Sequence, residues 1–417
     1  MGEYVVRCVG CGEVQPDYAL TCSCPNNCSL LRAYYASKRF ILRDHPGIWK
    51  FYEWLPVKGI SKAGDSSVTY KSVGLAKELG LKNLYISFSG YWPERNAFMK
   101  TCSFKDLEAP PTMQRLAEHG KGLTLVVASA GNTARAFAQV ASITGQPLLV
   151  FVPENALHRM WLTTEKGPVT LIAVRGDYLD AIVAAEKVQS QKGFMPEGGA
   201  RNIARRDGMG TVMLEAVLRI GAIPQHYFQA VGSGTGGISA WEAAIRLIDD
   251  GRFGQKLPKL HLAQNVPNAP IYYAWTGKDA RALQEKEQPE QLVSPAGMYD
   301  DVLFNRRPPY SIRGGVKDAL AATNGEVYGI SNNEADNAKR LFEESEGIDI
   351  LNAPVVAVAA LIQAIESAAV EPKDIILLNI TGGGVSRLKE DFTLNLLQPD
   401  ATISRPEEAI ELLEGRR

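Results

Sequence analysis

Two hydrophobic patterns alternate along the middle of the chain. Gly122-Leu123-Thr124-Leu125-Val126-Val127-Ala128 is a continuous apolar run, the pattern of a strand covered on both faces. Thr133 to Ile143 then carries apolar residues at helical spacing, so a strand, a short polar turn and a helix are expected in that order. The alternation recurs. Pro147 to Val152 and Val169 to Val174 read as strands, Tyr178 to Ser190 as an amphipathic helix. Tyr227 to Val231 is a strand whose glycine loop opens a helix over Ile238 to Ile248, and Leu260 to Ala263 is a strand again. Asp374 to Ile380 is a strand that stops at Thr381-Gly382-Gly383-Gly384. Ser331-x-x-Glu334 ahead of Ala335 to Phe342 is a capping box that starts a helix. Strands alternating with helices predict an α/β fold of mostly parallel sheets flanked by helices. The segment from about 276 to 310 breaks the pattern; charged, proline-bearing and weakly periodic, it is expected to run over the surface.

Composition narrows the class. The chain has 417 residues, 45% hydrophobic and 22% charged, enough for two lobes with real cores and outside the disordered and fibrous classes. Lys+Arg 45 against Asp+Glu 46 gives no reason to expect nucleic acid or an anionic membrane as partner, so any anion binding must be local. No apolar run approaches the roughly 20 residues of a membrane span, and the first residues have no signal-peptide pattern, so a cytoplasmic protein is expected. A homo-oligomer is expected as well.

Five of the six cysteines, Cys8, Cys11, Cys22, Cys24 and Cys28, fall near the start. Cys8-x-x-Cys11 and Cys24-x-x-x-Cys28 could supply four thiolates to a structural zinc, with Cys22 as a competing ligand; free thiols in a small knuckle are the alternative. Cys102 reads as a small packed residue, since no histidine lies near it in sequence.

Candidate chemistry centres on Lys105, in Thr101-Cys102-Ser103-Phe104-Lys105-Asp106. It sits between Phe104 and the stretch Leu107 to Pro111, and a lysine kept in a partly apolar cleft becomes a usable amine nucleophile. Two strand-to-helix turns could hold a ligand against it. Gly232-Ser233-Gly234-Thr235-Gly236-Gly237 fits G-x-G-x-x-G, yet the next strand ends in Gln264 and Asn265, without the acid that would hold a ribose. A single phosphate needs only loop amides, the Ser233 and Thr235 hydroxyls and a helix N-terminus. Asn132, in Ser129-Ala130-Gly131-Asn132-Thr133, could bind an oxygen on a planar ligand or could cap its helix; Thr381 offers a lone hydroxyl or a turn cap. An amine, a one-phosphate cradle, an amide and a hydroxyl are the needs of pyridoxal phosphate.

These motifs, in this order, resemble those of the fold type II pyridoxal-phosphate enzymes, in particular the threonine synthase branch. The resemblance runs from the cysteine knuckle to Gly384. It implies a tryptophan synthase β-like fold, with a knuckle over 1–35, a large cofactor-binding domain over 36–109 and 201–390, a small domain over 110–200 inserted in it, and a tail over 391–417. It implies that Lys105 condenses with the cofactor's aldehyde, that Asn132 binds its 3-hydroxyl, that Gly232, Ser233, Gly234, Thr235 and Gly236 hold its phosphate, and that Thr381 meets its ring nitrogen. A neutral hydroxyl there leaves a shallower electron sink, which suits elimination and replacement over transamination.

The chain also departs from threonine synthase. Where that branch follows the lysine with Asp-Arg-Gly, this chain reads Asp106-Leu107-Glu108. A second family segment reads Gly198-Gly199-Ala200-Arg201-Asn202-Ile203-Ala204-Arg205-Arg206-Asp207-Gly208-Met209-Gly210-Thr211, in which Arg205 keeps the place of the substrate-phosphate arginine. Arg201, Arg205 and Arg206 could cradle a phosphate and a second anion. This combination looks most like the cysteate synthase family, transferases that replace the phosphate of O-phospho-L-serine with sulfite in coenzyme M biosynthesis. Threonine synthesis from O-phosphohomoserine, or another β-eliminating lyase activity, is the alternative.

Overall fold

In the computed structural model the described residues are 3–17, 20, 22–26, 29–120, 122–278, 297–305 and 308–414. Two sheets organise them. A five-stranded parallel sheet runs in the spatial order Phe194–Pro196, Thr124–Ala128, Leu148–Pro153, Val169–Val174, Ala401–Ile403. Side chains alternate across it as strand geometry requires. Leu125 and Val127 join Leu148 and Val150 on one face, against Met113 and Leu116 of the helix Ala109–His119 and Phe137 of the helix Asn132–Thr144. Val126, Leu149 and Phe151 turn to the other face, against Ala181, Ala184 and Val188 of the helix Tyr178–Gln189. Burial on both faces is why Leu125 to Val127 reads as an unbroken apolar run, each large side chain contributing about 1.5–3 kcal/mol.

The second sheet has six strands in the order Glu326–Ile330, Lys259–Asn265, His226–Ala230, Ile375–Ile380, Asn83–Phe88, Val68–Lys71, of which only the last pairs antiparallel. Tyr227, Leu260 and Leu377 pack on one face with the helices Ile203–Ile220 and Thr235–Asp250; Phe228, Ile376 and Leu378 pack on the other with the helix Asn352–Glu366. The parallel strands point their carboxyl ends to one side, the place where open α/β sheets bind ligands. Glycine 232–237 follows one central strand there, and Thr381 follows its neighbour.

The capping box forms, with Ser331 Oγ accepting from the Glu334 amide at 3.3 Å. The stretch expected as a tail does more than trail. Ala401–Ile403 is the edge strand of the five-stranded sheet, Asn395–Leu396 pairs with Trp161–Leu162, and Lys187 bonds Glu407. These strands are two and three residues long, too short for periodicity to reveal. Of the expected surface excursion, 279–296 lies outside the described residues, but Val302 to Asn305 return to line the cleft. Among the described residues no helix is long and apolar enough to cross a membrane.

Candidate active site

Lys105 is carried by a short 3-10 turn, Phe104–Leu107, whose Ser103 cap accepts the Lys105 amide. This turn is tied to the Thr381 loop by backbone alone: the Phe104 amide donates to the Thr381 carbonyl at 2.9 Å, and the Gly383 amide donates to the Cys102 carbonyl at 3.2 Å. The lysine and the lone hydroxyl are therefore held in one frame. Cys102 is fully buried and burial pushes its thiol pKa up, which fits a packed residue. The Lys105 amine lies 4.6 Å from the centre of the Phe104 ring and donates to Glu108 Oε2 at 3.2 Å. Burial pulls its pKa down from the ordinary lysine value; Glu108 opposes that shift and Arg205 adds to it.

Asn132 opens its helix but does not cap it, since Gly131, at φ 144°, is the capping residue. Its Oδ1 instead accepts from Arg135 Nη2 at 2.9 Å, which commits the side chain's acceptor and fixes its amide group. Arg135 is itself buried, bonding the Thr101 carbonyl at 2.8 Å, and so links Asn132 to the lysine segment.

The glycines of 232–237 are required by close packing. A Cβ on Gly234 would meet Val316 at 2.3 Å and one on Gly236 would meet Gln229 at 2.0 Å. Gly234 caps the helix Thr235–Asp250, and the amides of the first turn have no preceding helical carbonyl to bond. Ser233 Oγ lies 2.8 Å from Thr235 Oγ1 beside them. Gln264, where an acid would hold a ribose, donates to the Gly232 carbonyl at 3.3 Å and accepts the Ile271 amide at 2.8 Å, pinning the loop from behind.

Lys105, Asn132, Gly232 to Gly236, Thr381 and Arg205 all line one cleft. Arg201 does not line it. Arg206 faces away, bonding Glu242 at 3.0 Å, the Ala200 carbonyl at 2.6 Å and the Leu31 carbonyl. Of the three arginines expected to cradle anions, only Arg205 reaches the cleft, because its neighbour on the helix projects toward the knuckle. Arg205 is moreover already paired, its Nε 2.9 Å from Glu108 Oε2 and its Nη1 2.7 Å from Glu197 Oε2. Burial disfavours the charged guanidinium, but the two carboxylates outweigh it and raise the Arg205 pKa.

Sequence reasoning did not find this carboxylate pair, nor Tyr178, Gln229 and Val302 to Asn305 along the cleft. Glu108 was visible only as a departure from a motif. Among the cysteines, the sulfurs of Cys8, Cys11 and Cys24 lie within 4.8 Å of one another. Cys22 points elsewhere, to the Leu20 carbonyl at 3.1 Å, and Cys28 lies outside the described residues.

The donor set fits pyridoxal phosphate: an amine made less basic by burial, a glycine turn at a helix N-terminus with two hydroxyls for one phosphate, an oriented amide and a neutral hydroxyl. Comparison with known proteins points the same way. Residues 71–382 match the family described as pyridoxal-phosphate dependent enzyme. The chain is 57% identical over 406 residues to a cysteate synthase of Methanococcoides burtonii, covering 97% of this chain and 94% of that one. It is 58% identical over 404 residues to a cysteate synthase of Methanothrix thermoacetophila, covering 97% and 96%. Among solved structures, maize serine racemase superposes with a TM-score of 0.57 at 14% identity, covering 78% of this chain and 91% of that one, a likeness of fold. With the cofactor's donor set assembled at one cleft and this identity along nearly its whole length, the chain belongs to the pyridoxal-phosphate-dependent enzymes of fold type II and, among them, to the cysteate synthase family.

Proposed function

We propose that the chain joins O-phospho-L-serine and sulfite into L-cysteate with release of phosphate, a β-replacement serving coenzyme M biosynthesis. The observation that carries this is the meeting of Lys105, Asn132, the glycine loop and Thr381 at one cleft, in a chain more than half identical to proteins named cysteate synthase. Lys105 would hold the cofactor's aldehyde carbon, Asn132 its 3-hydroxyl, Gly232 to Gly236 with the Ser233 and Thr235 hydroxyls its phosphate, and Thr381 its ring nitrogen. The division into a large unit over 36–109 and 201–390 and a small one over 110–200 belongs to the same proposal, supported by the two separate sheets.

When bound, the cofactor supplies the electron sink through which the α-carbon loses its proton, phosphate leaves Cβ with the bonding pair, and sulfite adds there through sulfur. Lys105 takes the α-proton and returns it. Burial favours its neutral amine, and Glu108, which accepts a hydrogen bond from that amine, fixes where its proton sits. Arg205 serves the anions, but Glu108 and Glu197 already compensate its charge. A dianion arriving there adds negative charge near the lysine, which raises the lysine's affinity for a proton and strengthens it as a base. Mass-spectrometric identification of the product tests the reading: L-cysteate from phosphoserine and sulfite is expected, whereas threonine from O-phosphohomoserine would replace it with the rival activity.

A further inference from the structure

The cysteine knuckle takes no part in the chemistry above, yet its geometry is specific. The order Cys8-Val9-Gly10-Cys11-Gly12 turns back on itself: the Gly12 amide donates to the Cys8 carbonyl at 2.9 Å and Gly12 takes φ 75°, a left-handed turn that glycine adopts without strain. This brings the Cys8 and Cys11 sulfurs to the same side as Cys24. Cys11 Sγ and Cys24 Sγ lie 3.8 Å apart, with all three sulfurs inside 4.8 Å. Thiolates bound to one tetrahedral zinc at about 2.3 Å stand roughly 3.8 Å from each other, which the Cys11–Cys24 pair matches, with the Cys8 sulfur within reach of the same ion. The second observation is donors aimed at sulfur. The Gly10 amide points at Cys8 Sγ at 3.3 Å, and Gln15 Nε2 points at Cys24 Sγ at 3.7 Å. Hydrogen bonds of this kind stabilise the ionised ligand and orient it.

We infer that Cys8, Cys11 and Cys24 bind a structural zinc ion as three thiolates, Cys22 being excluded from the site. Binding releases three thiol protons and leaves one coordination position beyond these sulfurs. The ion fastens the knuckle to the catalytic lobe. Cys8, Cys24 and Leu31 share one buried cluster with Ile203, the first residue of the helix that carries Arg205 two positions on, and Arg206 reaches back to the Leu31 carbonyl. The site therefore holds the start of that helix.

Metal analysis of the purified cofactor-bearing protein decides it. One zinc per chain is expected in the wild type and in Cys22→Ser, with less than a tenth of that in Cys11→Ser, whose exposed side chain makes it the least disruptive change, and in Cys24→Ser. Retention of the visible cofactor band shows that each variant is folded. Hydrogen exchange read over 203–206 should rise at least tenfold when zinc is removed from the wild type. No stoichiometric zinc in the wild type, full retention in Cys11→Ser or Cys24→Ser, or loss of the ion from Cys22→Ser as complete as from Cys11→Ser would overturn the assignment.

Discussion

The Lys105 amine and the Glu108 carboxylate meet at 3.2 Å on one turn of chain, and the same Glu108 oxygen lies 2.9 Å from Arg205 Nε. One buried carboxylate thus touches both the candidate base and the candidate anion site. Glu108→Gln keeps the size and removes the charge that raises the Lys105 pKa. The expected outcome is a normal cofactor band, a turnover number lower by about 10²-fold, and an acidic limb of the rate profile, where the base must lose its proton, moved to lower pH. An unchanged pH profile would reduce Glu108 to packing.

Arg205→Met leaves Glu108 and Glu197 facing each other in a buried site without their shared cation. A loss of about 3–5 kcal/mol in unfolding free energy is expected. Adding Glu197→Gln should recover part of it, read by denaturant titration of both variants.

Gly236→Ala puts a methyl 2.0 Å from Gln229 Nε2, and Gln229 cannot swing away freely because its Oε1 accepts Tyr227 Oη at 2.7 Å and Asn379 Nδ2 at 3.3 Å. The loop must shift instead, at a cost of about 1–3 kcal/mol. Cofactor affinity should fall about 10- to 100-fold in a titration followed by the visible band.

Beside the lysine, Asp106 is buried and its pKa is pushed up to about 7 by burial, against the hydrogen bond from Thr101 Oγ1 at 2.6 Å. A carboxyl with a folded pKa above its unfolded value binds its proton more tightly when folded. Its contribution is therefore fully present below the ordinary aspartate value of 3.8 and is lost as pH rises through about 7. Asp106→Asn should flatten the fall in stability across that window, by at most about 4 kcal/mol. Parallel pH titrations of the melting temperature check it.

How much of this was legible in the sequence follows from the physics of each part. Leu125 to Val127 and Ile375 to Leu378 announce themselves because strands buried on both faces need unbroken apolar runs. The glycine loop and Thr381 were readable because tight turns at strand ends restrict residue type. The Glu108, Arg205 and Glu197 array was not, since its members come from separate segments and each alone looks like a surface charge. Arg206 was misread for the same reason: only the fold turns it from the cleft to the Leu31 carbonyl. The helix-capping alternative for Asn132 fell to Gly131, whose φ of 144° no pattern reveals.

Phosphate release from O-phospho-L-serine, followed with and without sulfite in the purified enzyme, tests the central claim most directly. The account predicts release that depends on sulfite, with one L-cysteate formed for each phosphate. Equal release without sulfite, or none from phosphoserine alongside threonine formation from O-phosphohomoserine, would contradict it.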